Sequence, residues 1–252
     1  MDILVSIPTH EASLCVRDQI ENARKFISNH RLFFVIHASL DARENYLSEL
    51  KTDILSLENT VINPTRFPTS HPIDKVTNLS SIHISNYNHA LEAFGKFDLI
   101  TMQNSNDLMV RHGLEFGIAG TLKHIAVPGE FRHNGYLSDV KFTNMMKDVG
   151  AKDIYFGWTE GSYYKTELFD EISKIITKHG INDKDEGAFQ TALFSTHPEL
   201  LDKVKPSYTY ISPSINHGHI YEVQAGKHEG IYAVKRVNRD INDPIRRYIK
   251  TL

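Results

Sequence analysis

The sequence predicts an α/β domain built on a mostly parallel sheet flanked by helices. Short apolar runs that end at turn or polar residues alternate with longer stretches whose apolar positions recur at helical spacing. Length agrees, because 252 residues with 40% apolar content can bury a full core as one domain over 1–252.

Ile3 to Ile7 is an apolar run stopped by Pro8, which reads as a buried strand. Val16, Ile20, Ala23 and Ile27 then recur every three to four residues and predict a helix. Leu32 to Ile36 is the next strand, with His37 at its end. Strand, helix, strand in that order favours a parallel pair joined by a right-handed crossover. A helix from Asp41 through Leu50, a short strand at Val61 and Ile62, a helix from Ile82 to Phe94 and a central strand from Leu99 to Met102 continue the alternation. Ligands of open α/β sheets collect outside the carboxyl ends of the strands, so His10, His37 and the loop from Gln103 to Asp107 are expected to meet there.

From Phe131 to Ile154 the pattern weakens around Gly135 and Gly150 and predicts a variable loop region. Beyond it come an amphipathic helix from Glu167 to Lys178, a short apolar helix from Ala188 to Phe194, strand plus loop over Lys205 to His219, and a strand at Tyr232 to Arg236. There is no internal repeat and no low-complexity tract.

A net charge of −3 gives no global attraction to nucleic acid or anionic lipid, although Lys235, Arg236, Arg239, Arg246, Arg247 and Lys250 can act locally. The single cysteine, Cys15, excludes an intramolecular disulfide and fits a reducing compartment. No run approaches the length of a transmembrane helix, and Met1-Asp2-Ile3 has no basic region before an apolar stretch. A cytoplasmic protein, soluble or peripheral to a membrane, is expected, with Met1 leading straight into the first strand.

The acidic pair Asp185-Glu186 opens the apolar helix, where the macrodipole favours carboxylates, so capping is the plain alternative to a catalytic role. Trp158, Glu160, Tyr163 and Tyr164 form an aromatic and acidic cluster suited to a pyranose, since aromatic faces pack on its apolar face and a carboxylate accepts its hydroxyl protons. In an extended segment Tyr163 and Tyr164 point to opposite faces, so at most one is expected in a site. The alternative is a strand packed into the core. Asp183-Lys184-Asp185 is also a formal Asp-x-Asp, and two such carboxylates can reach a hard cation such as Mn or Mg.

Six segments, in order, resemble the core-2/I-branching glycosyltransferases of glycosyltransferase family 14, in their bacterial form. They are Ile7-Pro8-Thr9-His10, Val35-Ile36-His37-Ala38-Ser39, Ser105-Asn106-Asp107-Leu108, Gly161-Ser162-Tyr163-Tyr164, Lys184-Asp185-Glu186-Gly187-Ala188-Phe189-Gln190-Thr191 and Tyr232-Ala233-Val234-Lys235-Arg236. Ser39 stands where the family usually has Asp, and Asn106 where it has Gly. The resemblance implies a GT-A-like, Rossmann-related fold and inverting, metal-independent transfer from a nucleotide-sugar donor, a UDP-sugar such as UDP-GlcNAc. The implied acceptor is a glycan or lipid-linked glycan, in bacterial surface-polysaccharide synthesis at the inner face of the membrane, with no nucleic-acid partner. By the same resemblance Glu186 is the general base, with Asp185 capping the helix or orienting a partner, and Lys235 and Arg236 meet the donor diphosphate. From their places at strand ends His10, His37 and Asp107 are expected to contact the donor, and the aromatic and acidic cluster of Glu160, Trp158, Tyr163 and Tyr164 the acceptor.

Two other classes stay open. A metal-dependent phosphoesterase would use His10, His37, His217 and His219 from the 14 histidines, with His217-Gly218-His219 as its faint signature. A carbohydrate-binding protein without catalysis would use the same fold.

Overall fold

The computed structural model describes residues 1–10, 12–69, 78–114, 125–126, 135–204 and 207–252, with 125–126 described as backbone. Strand β1 (Asp2–Thr9) pairs in parallel with β2 (Arg31–Ala38) along its whole length and with β4 (Leu99–Met102) on its other side. β3 (Thr60–Ile62) extends the sheet beyond β2 in parallel, and β8 (Tyr163–Lys165) closes the other edge antiparallel to β4. Among the described residues the order is β3-β2-β1-β4-β8, so the winding direction reverses between β1 and β4. That reversal opens a crevice at the carboxyl ends of these two strands.

Helices cover both faces, which is why β1 and β2 are apolar without strict alternation. Ile3, Val5, Ile7, Phe34 and Ile36 face α1 (Ser13–Phe26) and α2 (Tyr46–Ile54). Leu4, Val35, Ile100 and Met102 face α3 (Leu79–Phe94) and the later helices α5 (Thr166–Lys178) and α6 (Asp185–Thr196). The period-2 alternation of strand side chains divides the core into these two layers.

A smaller sheet joins β5 (Asp107–Met109), β10 (Ala233–Lys235) and β9 (Thr209–Ile211), in the order β5-β10-β9. With α7 (His217–Gln224) and α8 (Pro244–Thr251) it encloses a third cluster of Leu108, Val110, Ile220, Val223, Val234 and Ile249. α8 is fastened to α1 by a buried ion pair in which Arg246 Nη1 donates to Asp18 Oδ2 at 2.6 Å. β6 (Ile125–Ala126) and β7 (Tyr155–Phe156) form a separate antiparallel pair.

Three elements depart from expectation. Residues 131–154 are not loop throughout: 131–134 lie outside the described residues, but α4 (Val140–Asp148) is a helix whose N-terminus is capped by Asp139, with its carboxylate accepting from Phe142 N at 3.0 Å. The flanking Gly135 and Gly150 hid a nine-residue helix that buries Phe142 and Met145. The helix expected from Asp41 begins at Tyr46 and buries Tyr46, Leu50 and Ile54, an i, i+4, i+8 stripe. His217 and His219 open helix α7 rather than lying in a loop, because Asn216 caps it through His219 N at 3.1 Å.

Candidate functional site

The crevice between β1 and β4 is floored by residues 103–107. Gln103 and Asn104 continue β4, and Asp107 opens β5 directly opposite Lys235 of β10 in antiparallel register. The turn before β8 brings in Glu160. Gly161 makes that turn possible: its φ is +72°, and a Cβ there would overlap Thr209 Oγ1. Its amide donates to the Met102 carbonyl at 2.8 Å, which fixes the turn against β4.

Lys235 Nζ donates to Glu160 Oε1, and the same oxygen accepts from Asn104 Nδ2 at 2.6 Å. The two ion-paired side chains are only 14% and 11% exposed, so their attraction is little screened by water. Asp107 Oδ2 accepts from the Asn104 amide at 2.9 Å. Asp107 Oδ1, Glu160 Oε2 and Asn106 Oδ1 are buried without a hydrogen-bond partner among the described residues. Such orphaned acceptors are costly, and their concentration marks a place built to receive donors. Burial pushes the Asp107 carboxyl up to about 7, opposed by Lys235 and reinforced by Glu160.

The N-terminus of α6 meets the same region. Lys184, at φ +62°, turns the chain into the helix, and its ammonium bridges Asp139 and Asp183 at 3.2 Å each. Asp185 Oδ2 accepts from Thr159 Oγ1 beside Glu160. Burial raises Asp185 to about 7, helped by the charges of Glu160 and Glu186. Glu186 is half-buried, and its carbonyl accepts from Gly157 N at 3.0 Å. Asp183 and Asp185 therefore diverge, one toward Lys184 and the other toward Thr159.

The structure thus brings together Asp107, Lys235 and Glu160, with Asp185-Glu186 at the adjoining helix start. Other expected residues fall elsewhere. Glu160 itself is held through Oε1 by Lys235 and Asn104. Tyr163 and Tyr164 lie on opposite faces as expected, but both are buried, 4% and 0% exposed, in the two separate core layers. Neither ring offers a face to an acceptor, because β8 is covered on both sides. Tyr164 also donates its hydroxyl to Gln190 Oε1 at 3.1 Å.

His37 is enclosed as well. Its Nε2 accepts from Phe67 N at 2.8 Å and its ring stacks on Phe67, while burial lowers its titration point to about 4. This neutral, fully buried imidazole, bonded to a loop amide, holds residues 63–69 against β2. His10 ends β1 half-buried, Arg236 is exposed at φ +72°, and Trp158 is 43% exposed over a separate cleft. His217 packs near Tyr248 and His219 near Tyr210, away from His37. Among the described residues no three His, Cys, Asp or Glu side chains gather in a way that could hold a metal ion.

Sequence reasoning placed Asn104 in the crevice loop without a role and missed Thr159; these two neutral side chains hold Glu160 and Asp185. Only their place next to a strand end and next to Glu160 signalled them.

No protein-family model matches the chain, and no curated protein matches its sequence. Among solved structures, the galactosyltransferase LgtC in complex with donor and acceptor sugar analogues is 10% identical, covering 100% of this chain and 94% of its own, at a TM-score of 0.45. An active-site mutant of LgtC gives the same identity and coverage at a TM-score of 0.48. A glycosyltransferase involved in glycosylation of the major capsid of PBCV-1 is 9% identical, with 100% coverage of both chains, at a TM-score of 0.47.

Proposed function

We propose that the protein is an inverting glycosyltransferase that moves a sugar from a nucleotide donor, a UDP-sugar such as UDP-GlcNAc, to a glycan or lipid-linked glycan acceptor. The observation that carries this reading is the grouping of Lys235, Glu160, Asn104 and Asp107 at the β1/β4 switch point, beside the acidic start of α6. A single displacement needs one base and one cationic counter-charge, and the acidic start of α6 and Lys235 are the groups that support this reading.

In this scheme Glu186 takes the proton of the acceptor hydroxyl as that oxygen bonds to the anomeric carbon. The bond from the anomeric carbon to the diphosphate breaks, and its electron pair leaves with the diphosphate, whose charge Lys235 and Arg236 meet without a metal ion. Lys235 must exchange Glu160 for a diphosphate oxygen, so Glu160 holds the ammonium in place until a donor arrives. Asp185, bonded by Thr159, positions the helix start that carries Glu186. Bacterial surface-polysaccharide synthesis at the inner face of the membrane is the setting that the family resemblance suggests; no helix among the described residues is long and apolar enough to cross a membrane.

The test is calorimetric titration with UDP, GDP, CMP and ADP, each with EDTA and with added manganese. UDP binding unaffected by EDTA supports the reading. Binding that requires manganese revives Asp183 and Asp185 as ligands, and no binding of any nucleotide refutes it.

A further inference from the structure

Beyond the crevice lies a second cavity. Trp158 overhangs a cleft of about 750 Å³ between the loop carrying Trp158, the edge strand β9 and the turn before β10. Leu201, Val204, Ile211 and Ile231 give it an aliphatic lining, and Tyr210 adds a second aromatic ring. Lys227 Nζ and His228 Nε2 stand 3.5 and 3.6 Å from the carboxylate of Glu222, which lies outside the lining, and Glu229 is exposed to solvent; His228 Nε2 and Thr209 Oγ1 are buried without a hydrogen-bond partner among the described residues. An aliphatic cleft with an exposed indole, whose two cations already face Glu222 and whose two orphaned polar atoms can meet hydroxyl groups, suits an uncharged amphiphile such as a glycoside.

The cleft adjoins the reaction centre through one short loop. Trp158 lies between Gly157, whose amide donates to the Glu186 carbonyl, and Thr159, whose hydroxyl donates to Asp185. Ser207, on the cleft wall, donates its hydroxyl to the Glu160 carbonyl.

We propose that this cleft is an acceptor subsite for a neutral glycoside with an apolar aglycone, a pyranose ring stacking on Trp158 and the aglycone lying along Leu201, Val204, Ile211 and Ile231. The proposal rests on the glycosyltransferase reading and names the acceptor class for a cleft that adjoins its reaction centre. The aglycone gains by leaving water, and the sugar gains the indole face.

Trp158 is the only tryptophan in the chain, so its emission reports on this cleft directly. The experiment titrates the whole 252-residue chain with octyl β-glucosides, β-galactosides and β-N-acetylglucosaminides below their critical micelle concentrations, with the methyl glycosides and octanol in parallel. At least one octyl glycoside is expected to shift the emission to the blue saturably, and to bind about tenfold or more tightly than its methyl counterpart and than octanol. Val204→Asp is expected to abolish that preference and the nearly isosteric Val204→Thr to weaken it, which separates loss of the lining from loss of the fold. Equal binding of octanol, or methyl and octyl glycosides binding alike, overturns the proposal. An absent emission response in a protein that binds UDP overturns it while leaving the transferase reading intact. A saturable octyl glycoside response in a protein that binds no nucleotide overturns the acceptor role together with the transferase reading and leaves the cleft as a glycoside-binding site alone.

Discussion

Lys235 and Glu160, 75 residues apart in sequence, form a largely buried ion pair that ties β10 to the turn before β8. Asn104 binds the same Glu160 oxygen, so three segments converge on one carboxylate at the mouth of the crevice. A pair in this position has both a structural and a functional consequence, because a charge held without water is costly to abandon.

Lys235→Ala is expected to destabilise the protein by about 3 kcal/mol, since it leaves Glu160 buried beside Asp107 without its counter-charge. The double substitution Lys235→Met with Glu160→Leu is expected to recover most of that loss, because no unpaired charge remains. Urea unfolding of Lys235→Met, Glu160→Leu and the double variant measures the coupling; equal loss in all three would show that the pair contributes packing alone.

Asp107 and Asp185 are both pushed up to about 7 by burial. Their folded forms hold a proton that the unfolded chain releases near 4, so each lowers stability as pH rises from about 4 to about 7. His37 and His83 act in the opposite sense across most of this window, up to about pH 6.5, because burial holds them neutral with titration points near 4 and 3. Relative to the wild type, Asp107→Asn is therefore expected to gain stability across pH 4 to 7, by up to about 1.4 kcal/mol per pH unit. Unfolding free energies of both proteins across this range provide the check, and a constant difference would contradict it.

Gly187→Ala is expected to cost about 1–3 kcal/mol despite the better helix propensity of alanine. The added Cβ would overlap Tyr136 Cε1, on a ring already packed edge-on to Phe142 and Phe156. Thermal unfolding of Gly187→Ala with and without Tyr136→Ala tests this, since removing the ring should abolish the clash.

Glu186→Gln is expected to lower turnover by about 10²- to 10⁴-fold while nucleotide affinity stays within about twofold. Product formation paired with calorimetry on the same preparation decides it. A variant with full turnover would remove Glu186 as the base, and unchanged glycan binding in a protein with no turnover at all would favour a binding protein.

The strands show how far local pattern reaches. β4 runs over Leu99–Met102, as its apolar run predicts, and β1 and β2 enclose the runs that mark them, because burial on both faces writes a continuous apolar stretch into the sequence. The acidic opening of α6 was legible too, since helix starts carry characteristic residues. Helix α4 was not, because glycines at both flanks outweighed a short stripe of two buried residues.

By itself the sequence determined the mostly parallel α/β architecture and the segments that border the crevice. Only the tertiary structure decided which side chains meet there. It buried Tyr163 and Tyr164 in separate core layers, spent His37 on a loop amide, turned Trp158 toward its own cleft and set Lys235 against Glu160. The physical reason is that periodicity records which face of an element is dry, whereas partnership depends on strand register and on turns such as Gly161, which bring distant segments together and leave no repeating pattern along the chain.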